Sequence, residues 1–173
     1  LFKENAANLA QLVSLVDSIH KACDDVPLVT VDQEGGAVQR FDHVLTPLPS
    51  AMALAATDDL ETVRKIADLS AMQLRLIGVN CVLSPVLDVN SNPLNPIIGT
   101  RSFGSDPDKV KEYGIATAEA FKGRGIIAVG KHFPGQEKIT LAGHNVHFDA
   151  GFLRSFFSAS NKDCSEFFSH RII

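Results

Sequence analysis

The stretch "VTVDQEGGAVQRF", Val29 to Phe41, ends an apolar run in two acids and two glycines. A β-branched run that stops at Asp32 and Glu34, turns on Gly35-Gly36 and reaches Arg40 is either a solvated turn or the floor of a polar pocket. The run itself, "VPLVTVD", is short and continuous, the pattern of a strand buried on both faces. What surrounds it decides between the two readings.

Upstream, "NAANLAQLVSLVDSIHKAC" places Leu9, Leu12, Val13, Val16 and Ile19 at helical spacing, which predicts an amphipathic helix over 6–22. Before it, "LFKEN" reads as the end of a strand. Downstream, Thr57 is a candidate cap for a second helix, with Asp58, Asp59 and Glu61 in a first turn that suits the helix dipole. Its expected core stripe is Val63, Ile66, Leu69, Met72 and Leu76, and Gly78 ends it. "VNCVLSPVLDV" reads as another buried strand. Asp106-Pro107 then starts a third helix with Val110, Tyr113, Thr117 and Phe121 on one face. It stops at "KGRG", and "IIAVGKHF" is a further buried strand.

Strands alternating with helices argue for a parallel α/β architecture, either a barrel or a doubly wound sheet. The polar residues cluster where the strands end: Asp32 and Glu34, Asp88 and Asn90, Lys131 and His132. In both architectures the active site lies at that C-terminal strand edge. A pocket is therefore favoured over a surface turn.

Composition narrows the class. With 173 residues, 45% hydrophobic and 21% charged, the chain suits one domain with a sizeable core. A net charge of -4 and a pI near 5.8 offer no electrostatic footprint for nucleic acid or an anionic membrane. No apolar run approaches the ~20 residues that span a bilayer, and no signal peptide is visible. Cys23, Cys81 and Cys164 are odd in number and far apart, so neither a disulfide framework nor a metal cluster is expected and a reducing compartment is. After Gly135 the chain becomes rich in phenylalanine and serine without clean periodicity.

Four segments, "VDQEGGAVQRF", "LSPVLDVN", "IGTRSFGSDP" and "GKHFPG", together resemble the bacterial β-N-acetylglucosaminidases of glycoside hydrolase family 3. "LFKEN" resembles the end of that family's second barrel strand. The resemblance runs over 1–135, with a thread to His144. It implies a parallel (β/α)8 TIM-type barrel, incomplete here, because a full barrel needs about 250 residues. It also implies a partial barrel over 1–135, then a catalytic-loop-like segment and divergent tail over 136–173. Open sheet edges in such a part would need covering.

The implied activity is retaining hydrolysis of terminal β-linked N-acetylglucosamine from peptidoglycan-derived glycosides, in the cytoplasm and without a cofactor. By the same resemblance Asp32, Arg40, Arg101, Lys131 and His132 hold the amino sugar. A carboxylate accepts two hydroxyl protons and a guanidinium offers a rigid fork of donors, which together orient a polyol. Gly35-Gly36 would let the backbone turn beneath the ring. Glu34 reads as a structural residue rather than the acid. Asp88 either borders the pocket or bonds backbone N–H groups to fix its loop.

The family's acid/base is a loop histidine in an Asp-Ser-His motif. A histidine suits that task because its ordinary pKa of about 6.5 leaves both protonation states accessible. In "GQEKITLAGH" the matching residue is His144, but Ala142 stands at the aspartate position and Gly143 at the serine position. Gln136-Glu137 also replaces the usual His-Gly. No aspartate after His144, neither Asp149 nor Asp163, sits in a sequence like the family's nucleophile motif. Two other readings stay open: a non-catalytic remnant that binds sugar, and a family 3 β-glucosidase. A metal site from His144, His147 and Asp149 lacks the HExxH pattern, and the glycine pair lacks the phosphate-loop spacing of a nucleotide-binding domain.

Overall fold

In a computed structural model, which describes residues 1–132, the chain runs through nine helices and strands in this order. They are α1 (Leu9–Ala22), β1 (Thr30–Val31), β2 (Gln33–Gly35), β3 (Val38–Gln39), α2 (Ala51–Ala55), α3 (Leu60–Leu76), β4 (Cys81–Val82), α4 (Pro107–Gly123) and β5 (Ile127–Ala128). Strands β1, β4 and β5 pair in that spatial order, all parallel. β2 and β3 form a separate antiparallel hairpin. The α/β fold with a parallel sheet is thus the one read from the alternation of strands and helices.

Register sorts the sheet's two faces. Val31 aligns with Val82 and Ala128, and this row packs against Leu12, Val16, Ala71, Leu74 and Phe121 from the helices. Thr30 aligns with Cys81 and Ile127 on the opposite face, where Asp32 follows two residues after Thr30. A second cluster joins Ala51 and Leu54 to Val63, Phe103, Val110 and Tyr113. There the Phe103 and Tyr113 rings meet edge to face at 5.7 Å.

Several sequence readings need correction. Cys81 and Val82 of β4 are both buried, as read, but Val26 and Leu28 lie before β1 at 82% and 65% exposed, and Ile127 of β5 is 51% exposed, so the first and last strands are not buried on both faces. The first helix begins at Leu9, not residue 6, because the Asn8 side chain accepts from Gln11 N at 2.9 Å and caps it. "LFKEN" is a 3₁₀ turn over Lys3–Asn5 rather than a strand end, its start tied by Phe2 N donating to Asn5 Oδ1 at 2.8 Å. Leu1 N does lie against Thr30 O, at 2.5 Å.

The cap of α3 is Asp59, whose carboxylate accepts from Glu61 N at 3.0 Å, while Thr57 closes the preceding turn. Its buried stripe is Val63, Ala67, Ser70, Ala71 and Leu74, with Leu76 74% exposed. Small residues on that stripe let α3 lie close to the sheet and to α4, so they, and not the larger Met72 and Leu76, face inward. The third helix matches its reading, with Asp106 as cap, Pro107 in the first turn, and Val110, Tyr113, Thr117 and Phe121 buried. The boundary expected at 135/136 lies outside the described residues. Among the described residues, no helix is long and apolar enough to cross a membrane.

Candidate functional site

The opening stretch folds back on itself. After β1 the chain passes Asp32 into β2, turns at Gly35 (φ 96°) and Gly36 (φ 59°), and returns through β3. These left-handed angles favour glycine. Space requires it too: a Cβ on Gly35 would lie 2.2 Å from Pro49 O, and one on Gly36 2.5 Å from Ser50 Cβ. Buried Gln39 braces the turn, donating to Gly36 O and Leu48 O and accepting from Leu48 N. The return brings Arg40 over Asp32. Arg40 N donates to Asp32 O at 3.2 Å, and Arg40 Nη2 lies 3.4 Å from Asp32 Oδ2. Arg40 Nε is buried and has no hydrogen-bond partner among the described residues.

Two other strand ends converge there. Lys131, after β5, places its ammonium 2.6 Å from Asp32 Oδ1 and 2.5 Å from Glu34 Oε1. Arg101 ends a 3₁₀ turn over Gly99–Arg101 and grips Glu34 with two bonds of 2.8 Å, from Nε to Oε2 and from Nη2 to Oε1. Its Nη1 donates to Ile97 O at 3.2 Å, and its Nη2 lies 3.2 Å from His132 Nε2. His132 Nδ1 is 2.7 Å from Asp88 Oδ2, which also accepts from His132 N at 3.1 Å. The peptide joining Lys131 to His132 is cis. Asp88 is held in turn by its backbone, since Ser102 Oγ donates to Asp88 O at 2.6 Å.

Electrostatics follow from these contacts. Burial pushes the Asp32 carboxyl up, but the hydrogen bonds and charges of Lys131 and Arg40 together outweigh it, so the group titrates below the usual carboxylate range. Hydrogen bonding to Glu34 raises Arg101 above its ordinary value against the opposing effect of burial. Behind Glu34 and Arg101, Ser70, Ser84 and Thr117 help line a cavity of about 30 Å³, room for a water or two.

The expected residues Asp32, Arg40, Arg101, Lys131 and His132 therefore meet in one network at the C-terminal ends of parallel strands. Their role toward sugar is a matter of chemistry: the network sets oriented N–H donors beside carboxylate acceptors, the inventory a polyol needs. His144, and with it the His144, His147 and Asp149 cluster, lies outside the described residues. Among the described residues no group of three His, Cys, Asp or Glu side chains is placed to hold a metal. Asp88 does both things the sequence left open, since it borders the site and takes a backbone N–H. Glu34 has the structural role read for it: its side chain is 4% exposed and joins two cations. The available signal was its spacing, two residues beyond Asp32. Ser102 carried no signal at all.

The chain is similar to several known proteins. Beta-hexosaminidase A of Pseudoalteromonas piscicida is 35% identical over 153 residues, an alignment covering 83% of this chain and 26% of that protein. Among solved structures, a glycoside hydrolase family 3 beta-N-acetylglucosaminidase from Paenibacillus sp. superposes with a TM-score of 0.73 at 39% identity, over 78% of this chain and 26% of that one. NagZ from Neisseria gonorrhoeae gives a TM-score of 0.77 at 26% identity, over 94% and 52%. The chain spans less than half the length of the first curated relatives it matches, 26%, 44% and 43% of them. Residues 1–159 match the model of the glycosyl hydrolase family 3 N terminal domain, and the chain belongs to that family.

Proposed function

We propose that this chain supplies the sugar-gripping part of a (β/α)8 barrel that removes terminal β-linked N-acetylglucosamine from peptidoglycan-derived glycosides, with retention of configuration. One observation carries the reading. Asp32, Arg40, Arg101, Lys131 and His132, drawn from the hairpin segment after β1, the 3₁₀ turn before α4 and the segment after β5, form a single network of donors and acceptors. Relatives bearing the name beta-hexosaminidase support the amino-sugar specificity. In this reading Asp32, Arg40, Lys131, His132 and Arg101 hold the terminal sugar. His144 is the acid/base, moving a proton to the leaving oxygen and later taking one from water.

A second reading has its own observation. Ala142 stands where the family pattern has the aspartate that orients the histidine. Loss of such an orienting group costs orders of magnitude in rate in serine-protease triads. On this view the chain binds the sugar without turning it over.

The deciding experiment is hydrolysis of a chromogenic aryl N-acetyl-β-glucosaminide by the purified chain, with His144→Ala and an aryl β-glucoside as parallel controls. Turnover that disappears in His144→Ala supports the enzyme. A folded protein that binds N-acetylglucosamine without turnover moves the reading to the binding remnant, and preference for the glucoside removes the amino-sugar assignment.

A further inference from the structure

We infer that Glu34 is a positioning residue that fixes Lys131 and Arg101 in place and, by its charge, tunes the subsite for an uncharged sugar. The inference rests on the proposed sugar reading for its ligand but not for its geometry. Glu34 is 4% exposed at its side chain and lies beneath the two cations, so it is shielded from a ligand entering at Asp32. Both of its oxygens are committed. Oε1 takes Lys131 Nζ at 2.5 Å and Arg101 Nη2 at 2.8 Å, and Oε2 takes Arg101 Nε at 2.8 Å.

Counting donors shows what this leaves. An ammonium has three N–H groups and a guanidinium five. Lys131 donates to Asp32 Oδ1 and pairs by charge with Glu34. Arg101 spends two on Glu34, one toward His132 Nε2 and one on Ile97 O, and keeps one. Among the described residues, then, the one N–H left on Arg101 is directed by its bonds to Glu34, and the Lys131 ammonium is held by its ion pair with the same carboxylate. Two cations on one carboxylate would otherwise repel each other.

Charge gives the second consequence. Among the described residues Asp32, Glu34 and Asp88 stand against Arg40, Arg101 and Lys131, three formal charges of each sign joined in one network. These residues carry no surplus cation for an acidic sugar. Removing the charge of Glu34 creates one. Glu34 thus decides between a neutral and an anionic glycosyl group without touching either.

The experiment uses the 173-residue chain and two ligands of similar size, N-acetylglucosamine and glucuronic acid, titrated by NMR. Glu34→Gln keeps the shape and removes the charge. It is expected to weaken N-acetylglucosamine binding by about tenfold and to shift the preference toward glucuronic acid by about tenfold or more. Glu34→Asp, which keeps the charge but shortens the reach, retains the neutral preference while losing affinity.

A ligand-free readout accompanies them: the Arg101 Nε–H resonance, assigned by its loss in Arg101→Lys. In the wild-type chain it exchanges slowly with water, unlike that of exposed Arg64. Arg101 exchange as fast as Arg64 overturns the inference, even if Glu34→Gln does not fold. So does a folded Glu34→Gln with unchanged affinity and preference. A protected Arg101 in a chain that binds neither sugar sinks the sugar reading and upholds Glu34 as the holder of the two cations.

Discussion

Asp88 and His132 meet twice: Asp88 Oδ2 lies 2.7 Å from the ring Nδ1 and 3.1 Å from the backbone N of His132. A carboxylate only accepts and a guanidinium only donates, so these partners assign the tautomer. Nδ1 carries the proton, and Nε2 presents a lone pair toward Arg101 Nη2 at 3.2 Å. Asp88 and Arg101 thus hold the imidazole from its two nitrogens.

Asp88→Asn is expected to disturb this arrangement. If the amide presents N–H to Nδ1, the ring proton moves to Nε2 and faces the Arg101 donor. Losing a charge-assisted bond of about 1.5–3 kcal/mol corresponds to at least about tenfold in N-acetylglucosamine affinity. Imidazole ¹⁵N shifts check the tautomer directly. An unchanged tautomer together with unchanged binding would refute the assignment.

Asp32 makes stability depend on acid in a defined direction. Its native pKa is lowered, so its contribution is fully present above the unfolded-state value of about 3.9 and is lost as pH falls through the lower native value. Melting temperatures of the wild type and Asp32→Asn should differ by a constant amount above about pH 5 and converge at lower pH. A gap that persists to about pH 2 contradicts the ion-pair account.

Gly35→Ala combines a left-handed backbone with a Cβ placed 2.2 Å from Pro49 O. The expected loss is about 2 kcal/mol or more, measured by denaturant unfolding. A loss under about 0.5 kcal/mol would mean that the turn relaxes freely and that the hairpin does not fix Arg40.

Phe41→Ala and Leu76→Ala test where the core sits. Phe41 is wholly buried against the sheet and α1, and its truncation should cost about 3–5 kcal/mol. Leu76, although predicted to be core, is 74% exposed, and its truncation should stay within about 0.5 kcal/mol. Equal losses would restore the helical stripe read from the sequence.

Much of the architecture was legible in the sequence because its signals are local. Continuous β-branched runs, the Asp106-Pro107 start of α4 and the Gly35-Gly36 turn each act through neighbouring residues. Polar residues at strand ends were legible as a group, since in a parallel sheet every strand points its end to the same edge. Which face of α3 is buried was not, because small and large apolar residues share a period and only packing distance chooses between them.

Asp32, Arg40, Arg101, Lys131 and His132 could be named from motifs, but not their pairings. The sequence alone determined the family, the alternation of strands and helices, and which residue types reach the sheet edge, for these depend on order along the chain. Only the tertiary structure decided that Lys131 bridges Asp32 and Glu34, and that Arg101, 67 residues from Glu34, closes on it rather than on Asp32. Ion pairs between distant strand ends depend on register and depth. A buried carboxylate takes the partners nearest to it in space, whatever their separation in sequence.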